Sequence, residues 1–521
     1  MSGISRRKLL AGLAAGAATP LLAACGSSSP VAAAGAATPP DSGAGPSGQN
    51  APPPAPPVGN QSAEVVIVGA GYSGLECARA LATQGVDVLV LEGRDRVGGR
   101  CWNHQLPAPY SQYVVEGGAE FIGPTQDRMY ALAKALGIAT YTAYNTGSTV
   151  NYIDGQRSTY TGRVPSGNLV ALLAAQGAIT TLDNMATQVP LDKPWTAPKA
   201  ATWDSQTVED WMNSNITLGQ QAKSLLRLAV IAVFSAEPQE LSLLYALFYI
   251  HSAGSLNYLL DTAGGAQQDR IVGGSQAIAI AMGQQLGDRI LFNAAVRDVD
   301  QTASTITVSG DGFSVTAQHA VIAMSPWPAG RLHYTPLNDP ASPLAGPMQA
   351  RLQMMQRRPM GSIWKVHCVY PTPFWRDAGL NGQVTSDAFL PKVTFDNTPP
   401  ENGAPGVMMG FIDGQDARDA LLMTQAQRKA NVVQAFTTYF GAGAANPVAY
   451  LENNWQAEDF SGGGPVGVAP PGVITAYTTA LVDPIGRLHW AGTETSQIWT
   501  GYMDGAVRSG ERAAQEILAA G

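Results

Sequence analysis

A glycine-rich turn early in the chain has the residue types and spacing of a phosphate-binding loop. Residues 69–74 read GAGYSG and lie between a β-branched apolar run, residues 65–68, and a helical pattern. Gly69 permits a tight turn, Gly71 lets backbone approach a pyrophosphate, and Gly74 lets helix and strand pack closely. The N-terminus of the following helix offers free N–H groups and a partial positive charge. The segment therefore predicts dinucleotide binding.

An acidic residue completes this unit. Glu92 ends the next apolar run, residues 86–91, where a carboxylate can accept hydrogen bonds from ribose hydroxyls. A strand–turn–helix–strand order of this kind is typical of a parallel α/β sheet with helices on its faces. At this point a nicotinamide and a flavin dinucleotide are equally compatible with the pattern.

Composition limits the remaining choices. The chain has 521 residues, of which 45% are apolar and 13% charged, so it can build a large core and we expect two domains. The formal net charge is −8 and no basic stripe occurs, which argues against nucleic-acid binding. A negative chain is compatible with a cationic substrate. The cysteines and histidines show no metal-ligand spacing, and we predict neither a metal site nor a disulfide.

The first sixty residues resemble export and tethering signals rather than a fold. Residues 5–10, SRRKLL, resemble a twin-arginine signal, and the apolar run 9–24 is shorter than the roughly 20 residues that span a bilayer. Residues 22–25, LAAC, resemble a lipoprotein processing site, which predicts lipidation of Cys25; an ordinary cleaved signal is the alternative. Residues 26–61 are predicted to be a flexible Pro/Gly/Ser-rich linker. We expect an exported protein, either a cell-envelope lipoprotein or a periplasmic or extracellular one.

Several further motifs resolve the choice of dinucleotide. They are RDRVGGR at 94–100, EGGAEF at 116–121, VGGS at 272–275, PFW at 373–375, AGTE at 491–494 and WTGYMDGA at 499–506. In this order they resemble the flavin-dependent monoamine oxidase family, in particular its bacterial members, from about residue 65 to residue 517.

The resemblance implies an α/β fold with two domains, as in amine oxidases and p-hydroxybenzoate hydroxylase. A Rossmann-like FAD-binding domain is expected from residues 62–145, 270–330 and 450–521. It is interleaved with an α+β substrate-binding domain from residues 146–269 and 331–449.

The resemblance also implies which residues bind FAD. Matched onto this sequence, the family's cofactor positions are Gly69, Gly71, Ser73, Gly74, Glu92, Arg94, Gly99, Arg100, Gly118, Ala119, Glu120, Phe121, Val296, Trp455, Glu494, Gly501, Tyr502 and Met503. Arg100 has a physical reason to be there, because a guanidinium is a permanent cation for phosphate.

Three residues match the family's catalytic positions. Lys365 matches the lysine that holds a water near flavin N5, and a lysine in an apolar strand is costly unless it is paired or solvated. A strand-edge lysine that reaches solvent is the structural alternative. Tyr502 matches one wall of the aromatic cage that steers the amine, and Trp499 matches a further aromatic position near the ring.

The chain departs from the animal enzymes at residues 464–465. Gly464 and Pro465 stand where those enzymes carry the cysteine that binds FAD and the second cage tyrosine. We therefore expect non-covalent FAD and a cage without its second ring, a gap that Trp499 or Phe121 could fill.

The resemblance implies FAD-dependent oxidation of an amine to an imine. The imine then hydrolyses to an aldehyde or ketone, and O2 reoxidises the flavin to give hydrogen peroxide. Alternatives are an amine dehydrogenase that passes electrons to a cytochrome, and an L-amino-acid oxidase, which needs an arginine for the carboxylate. A desaturase-like flavoprotein and a non-catalytic flavin-bearing lipoprotein are disfavoured by Lys365 and Tyr502. The small-molecule amine is the expected partner, contact with a membrane is expected only through Cys25, and a homodimer is left open.

Overall fold

The computed structural model describes residues 56–162, 169–216, 219–336, 339 and 341–520. The predicted twin-arginine signal, Cys25 and most of the linker lie outside these residues. Within them, no helix combines the length and apolar character needed to cross a membrane.

Strands and helices are numbered in chain order over the described residues. The strands are β1 (Gly59–Ser62), β2 (Val65–Val68), β3 (Val88–Leu91), β4 (Asn103–Gln105), β5 (Val114–Glu116), β6 (Thr140–Thr142), β7 (Ser148–Ile153), β8 (Gln156–Tyr160), β9 (Asp269–Ile271), β10 (Ile290–Leu291), β11 (Val296–Gln301), β12 (Ile306–Gly310), β13 (Phe313–Ala317), β14 (His319–Ala323), β15 (His333–Thr335), β16 (Ile363–Tyr370), β17 (Leu380–Ser386), β18 (Val393–Asp396), β19 (Gly406–Asp413), β20 (Ala449–Asn454) and β21 (Leu488–Ala491). The helices are α1 (Tyr72–Thr83), α2 (Asp127–Ala135), α3 (Leu169–Ala186), α4 (Ala200–Asp204), α5 (Val208–Asn215), α6 (Gln220–Phe234), α7 (Leu243–Ala253), α8 (Leu256–Leu260), α9 (Gln276–Leu286), α10 (Pro326–Ala329), α11 (Ala345–Gln356), α12 (Phe374–Asp377), α13 (Gly414–Ala420), α14 (Gln425–Phe440), α15 (Val473–Tyr477) and α16 (Met503–Ala520).

The glycine-rich turn follows β2, the central strand of a five-stranded sheet in the order β10-β3-β2-β14-β21. Every neighbouring pair of strands in this sheet is parallel. All four residues of β2 are buried, as expected for a parallel strand covered on both faces. Val65 and Ile67 pack with α1, α9 and α16, whereas Val66 and Val68 pack on the opposite side. That side is covered by a second five-stranded sheet in the order β1-β13-β12-β11-β15.

A seven-stranded sheet in the order β20-β16-β19-β18-β17-β7-β8 forms the other half of the molecule. Four neighbouring strands of this sheet each place one residue in a row that runs across the sheet. In this row Lys365 pairs with Phe411, Phe411 with Val393, and Val393 with Thr385. All four residues line the same cavity. One face of this sheet packs on α14, with Val366, Cys368 and Phe436 in a shared core.

Both large sheets are assembled from segments far apart in the chain. The parallel sheet takes strands from residues 65–91, 290–323 and 488–491, and the seven-stranded sheet takes strands from 148–160 and 363–454. The predicted α/β fold class is confirmed. The domain boundaries given above stay a prediction.

The turn itself depends on a close approach between two glycines. A Cβ on Gly74 would lie 1.9 Å from the carbonyl oxygen of Gly69, and Gly69 has a φ of +105°, which side-chain-bearing residues rarely adopt. The N-terminus of α1 is thereby held directly behind the end of β2.

Replacing Gly74 by alanine is expected to lower the free energy of unfolding by about 3 kcal/mol, because either the strand or α1 must shift. Gly177 is the matched control, since it lies in α3 with nothing within 4 Å of a built Cβ. Gly177→Ala should raise stability by about 0.5–1 kcal/mol through reduced chain entropy. Thermal unfolding of both purified variants checks this, and a Gly74→Ala protein as stable as wild type would contradict the proposed packing.

Candidate active site

The carboxyl ends of four parallel strands open into one cavity of about 1080 Å³. Its lining includes Gly69 after β2, Glu92 after β3, Met324 after β14 and Gly492 after β21. This edge is where open parallel sheets bind nucleotides. The volume is at the upper end for small-molecule sites, so the cavity has room for more than a substrate alone.

The turn and the first acidic residue are arranged as predicted from the sequence. Gly71 precedes α1 and makes no side-chain cap, which leaves N–H groups of the first turn available to an anion. Glu92 is buried, and its carboxylate accepts hydrogen bonds from the backbone N–H of Ala70 at 2.7 Å and of Arg94 at 3.0 Å. The carboxylate is therefore held at the cavity wall.

Arg94 and Val296 lie at the end of the cavity beside β11. The Arg94 guanidinium donates to Ser461 Oγ at 2.9 Å and to Glu458 at 3.3 Å, and it stacks on the Phe460 ring at 5.4 Å. An arginine on an aromatic plane forms a flat polar surface suited to a purine.

Arg100 connects three distant parts of the chain. Its guanidinium makes a two-pronged contact with Glu494, at 2.6 and 3.1 Å, and donates to the Pro465 carbonyl at 2.6 Å. Glu494 also accepts from the backbone N–H of Gly467 at 3.1 Å. Burial would raise the pKa of Glu494, but the charge and hydrogen bonds of Arg100 outweigh it and the pKa lies below its ordinary value.

Glu494, one of the predicted cofactor residues, does not line the cavity. Its side chain is 2% exposed and holds Arg100 from behind. Gly74 is likewise absent from the lining, because its role is the packing of α1 against the turn.

The turn at residues 117–121 packs directly on Arg100 and Trp455. A Cβ on Gly118 would lie 2.0 Å from the Arg100 carbonyl and 2.7 Å from the Trp455 ring. Trp455 Nε1 donates to the Gly117 carbonyl at 2.8 Å. Glycine is therefore required at 118, and the indole is fixed as a wall of the cavity beside it.

Lys365 lies on β16 with 1% of its surface exposed, and it lines the cavity. Its ammonium donates to the Gly118 carbonyl at 2.9 Å and to the Glu120 carboxylate in a short contact. The strand-edge alternative is wrong, since β16 is paired on both sides. The sequence did not identify Glu120 as the partner of this lysine.

Two tyrosines face the cavity near Gly501. Tyr502 and Tyr249 both line it, with ring centroids 6.1 Å apart. Burial raises the pKa of both hydroxyls, so both remain neutral. Tyr249 comes from α7, and the aromatic helical run around it gave no signal that would have singled out this ring.

Trp499, which was predicted to lie near the flavin ring, packs against Tyr502. Its ring is 4.8 Å from that of Tyr502, it is 1% exposed and it does not line the cavity. Trp499 Nε1 donates to the Thr125 carbonyl at 3.0 Å. The backbone φ of Trp499 is +53°, a strained value that turns the indole into the protein.

The remaining walls divide into a ring pair, an apolar wall and a neutral polar wall. Phe121 and Phe395 line the cavity with centroids 5.0 Å apart. The helical wall contributes Leu172, Ile179, Leu225, Leu228 and Leu260. Opposite, Asn145, Asn381 and Gln383 line the cavity and are joined by a hydrogen bond of 2.8 Å from Gln383 and one of 3.3 Å from Asn381.

The other predicted cofactor residues lie together on the cavity. Those that line it are Gly69, Gly71, Ser73, Glu92, Arg94, Gly99, Arg100, Gly118, Ala119, Glu120, Phe121, Val296, Trp455, Gly501, Tyr502 and Met503. Over the part of the chain that the structure describes, no three His, Cys, Asp or Glu residues are placed to hold a metal ion.

Known proteins resemble this chain over most of its length. The family model described as flavin-containing amine oxidoreductase matches residues 72–518. The protein AofH of Mycobacterium tuberculosis is 38% identical over 88% of this chain and 96% of its own length. Human flavin-containing amine oxidase B is 36% identical over 87% of this chain and 86% of its own. The structure of cyclohexylamine oxidase from Brevibacterium oxydans matches with a TM-score of 0.82 and 32% identity, covering 88% of this chain and 99% of that one.

Glu494→Gln is expected to lower the free energy of unfolding by about 3 kcal/mol at pH 7, because it leaves Arg100 without its buried counterion. A carboxylate with a lowered folded-state pKa stabilises above its ordinary value of 4.5 and loses this contribution as the pH falls through the lowered pKa. The difference from wild type should therefore be full above about pH 5.5 and shrink as the solution is acidified below pH 4.5.

Thermal unfolding across pH measures this effect. Glu458→Gln is the control, since its side chain is 20% exposed and Arg94 keeps Ser461, so its cost should stay below about 1 kcal/mol. Equal unfolding temperatures for the two variants would contradict the role assigned to Glu494.

Proposed function

The chain belongs to the flavin-containing amine oxidoreductase family, and we propose from this premise that its cavity binds FAD along the parallel-sheet edge and the amine between Lys365 and the two tyrosines. The observation that carries the proposal is the continuity of the cavity. The phosphate-binding turn at Gly69 and the tyrosines Tyr249 and Tyr502 line the same cavity.

The activity of the family is oxidation of amines. FAD supplies the two-electron acceptor for the C–N bond when it is bound. The overall reaction consumes amine, water and O2 and yields an aldehyde or ketone, ammonia or a smaller amine, and hydrogen peroxide.

The residues of this chain fit the cofactor. The first turn of α1 and the Arg100 guanidinium would hold the pyrophosphate, and Glu92 would accept from ribose hydroxyls. Gly118, Trp455 and Lys365 line the cavity next to the 117–121 turn, so a flat ring system would lie against this turn.

The chamber beyond this turn suits a neutral amine with an apolar body. Leu172, Ile179 and Leu225 form an apolar wall, which excludes water and orients the substrate by burial. Adjacent strands are about 4.8 Å apart, so the row from Lys365 to Thr385, three strands away, gives the chamber a depth of about 14 Å. An aryl-alkyl or cyclic amine fits this depth.

An amino-acid substrate fits less well. Recognition of its carboxylate calls for an arginine near the reacting carbon. Among the described residues, the arginines that line the cavity are Arg94, Arg100, Arg297 and Arg331. Arg94 donates to Ser461 and Arg100 is paired with Glu494. Arg297 directly follows Val296 at the nucleotide end, and Arg331 stacks on Trp327 at 4.3 Å. The amine is therefore the preferred substrate class.

Anaerobic addition of 2-phenylethylamine is expected to bleach the visible flavin spectrum of the purified protein. Phenylalanine, which differs by one carboxylate, should bleach it at least about a hundredfold more slowly, because none of the described arginines is placed in the chamber for that group. Air should then restore the colour, with release of hydrogen peroxide. The colour should return more slowly when a cytochrome is added in place of air. A flavin that stays oxidised with aryl-alkyl, cyclic and polyamines alike would refute the proposed function.

We propose that FAD is held without a covalent bond. Gly464 lines the cavity and has no side chain to offer a thioether. Three described cysteines, Cys77, Cys101 and Cys368, are buried, and of these only Cys101 lines the cavity. Burial raises the pKa of the Cys101 thiol to about 12, so it remains protonated and a poor nucleophile.

Acid precipitation of the protein is therefore expected to release all of its yellow colour into the supernatant. Cys101→Ala should release the same fraction. Colour that stays in the wild-type pellet would contradict non-covalent binding, and its loss in Cys101→Ala would identify that thiol as the attachment point.

We propose that the protein is exported by the twin-arginine route and anchored through Cys25. The proposal is supported by residues 5–10 and 22–25 of the sequence. The route carries folded proteins, which suits a chain whose cofactor must be bound before export.

A further inference from the structure

The cavity contains a carboxylate whose role the family resemblance does not explain. Glu120 was matched to the FAD-binding turn, yet its side chain is 1% exposed and points to Lys365. A carboxylate in this position faces the reacting end of the cavity, since Gly118 and Phe121 of the same turn line it.

Glu120 is the second member of a chain of four buried charges. Lys365 pairs with Glu120, Glu120 with Arg270 at 2.9 Å, and Arg270 with Glu116 at 2.6 Å. The exposed fraction of each of the four side chains is 3% or less. Two positive and two negative charges alternate, so the chain is neutral as a whole although each member would be costly alone.

The pairing uses two of the three hydrogens of the ammonium. A protonated lysine has three donors, and the Gly118 carbonyl and the Glu120 carboxylate accept two of them. Both acceptors belong to one turn, which Arg100 and Trp455 hold rigidly. One donor is left for a group inside the cavity.

We propose that Glu120 is a positioning residue that keeps Lys365 as an ammonium in one orientation, with its remaining N–H directed to the flavin side of the cavity. The proposal rests on the proposed function for the identity of that ligand. The charge state and orientation of Lys365 follow from the ion pairs alone.

The surroundings of Lys365 make this proposal testable by pH. Burial, and then the charge of Lys365, lowers the pKa of His367 well below its ordinary value. Burial and the charges of Arg96 and Lys365 lower the pKa of His104 to about 4. Burial raises the pKa of Cys101 to about 12 and that of Tyr141 above its ordinary value.

The pKa values of the other charged members of the cluster, Glu116 and Arg270, are shifted as well. Burial raises the pKa of Glu116 and Arg270 opposes it, while Glu116 and Glu120 outweigh the burial of Arg270 and raise the pKa of that guanidinium. Lys365 is the member of this cluster that Glu120→Gln would leave without a carboxylate partner, since Arg270 keeps Glu116.

The test is Glu120→Gln in the holoprotein, with Glu116→Gln as the matched control. Glu120→Gln leaves the buried ammonium of Lys365 without a counterion, and burial favours the neutral form of a lysine. The ratio of variant to wild-type kcat/KM should fall at least tenfold from pH 6 to pH 9 in Glu120→Gln. It should change less than twofold in Glu116→Gln, which does not touch Lys365.

The visible spectrum of the oxidised, substrate-free flavoprotein gives a readout independent of turnover. Glu120→Gln should show a single pH titration of the flavin bands between pH 6 and 9, and wild type and Glu116→Gln should show none. If flavin binds and amines bleach it but Glu120→Gln matches Glu116→Gln in both spectrum and profile, the inference is wrong while the proposed function stands. Failure to bind flavin or oxidise amines would instead defeat the proposed function.

A second comparison, of unfolding temperatures, tests the proposal even if Glu120→Gln folds poorly. The double variant Glu120→Gln/Lys365→Met removes both charges and restores a neutral pair of Arg270 and Glu116. Its unfolding temperature should exceed that of Glu120→Gln. A double variant no more stable than Glu120→Gln would show that the two side chains are not coupled and would overturn the proposal.

Discussion

The arrangement of the whole cavity depends on Arg100. Its side chain bonds Glu494 and the Pro465 carbonyl, and its own carbonyl accepts the backbone N–H of Ala119 at 3.1 Å. One residue thus joins the phosphate-binding segment, the turn that faces the substrate and the C-terminal loop. Because Gly118 packs against the Arg100 carbonyl, the acceptors of Lys365 are placed by the same residue that would face the pyrophosphate.

Charge neutrality is kept locally around this residue. Arg100 is paired with Glu494, Arg94 with Glu458, and Lys365 and Arg270 with Glu120 and Glu116. Each pair fixes a side chain at the cavity wall and lowers the cost of removing it from water. The cavity can therefore be both polar at the nucleotide edge and apolar in the chamber, since few charged groups near the chamber are left to attract water into it.

Local sequence patterns predicted those parts of the site whose geometry is local. The turn at Gly69, Glu92 at the end of a strand, and Lys365 in an apolar strand lie where the patterns place them, because strand ends and turns are fixed by neighbouring residues. Local patterns did not distinguish Trp499 and Glu494 from the cavity residues beside them. Both are close in sequence to cavity residues, but the positive φ of Trp499 and the pairing of Glu494 direct their side chains away from the cavity. Tyr249 and Glu120 were missed in their roles because their partners are 253 and 245 positions away.

Residues 464–465 contribute to the site through their backbone. Pro465 supplies a carbonyl to Arg100, and Gly464 donates its N–H to the Gly361 carbonyl; neither contact needs a side chain. The second ring of the chamber comes instead from Tyr249 on α7. That ring is supported by Phe234, with centroids 4.7 Å apart, and by Tyr245 at 6.1 Å, both buried in the helical core. The orientation of Tyr249 therefore depends on the packing of α6 on α7. It is also tied to the cofactor side of the cavity, because the Tyr245 hydroxyl donates to the Gly467 carbonyl at 3.2 Å and Tyr249 packs against Gly501.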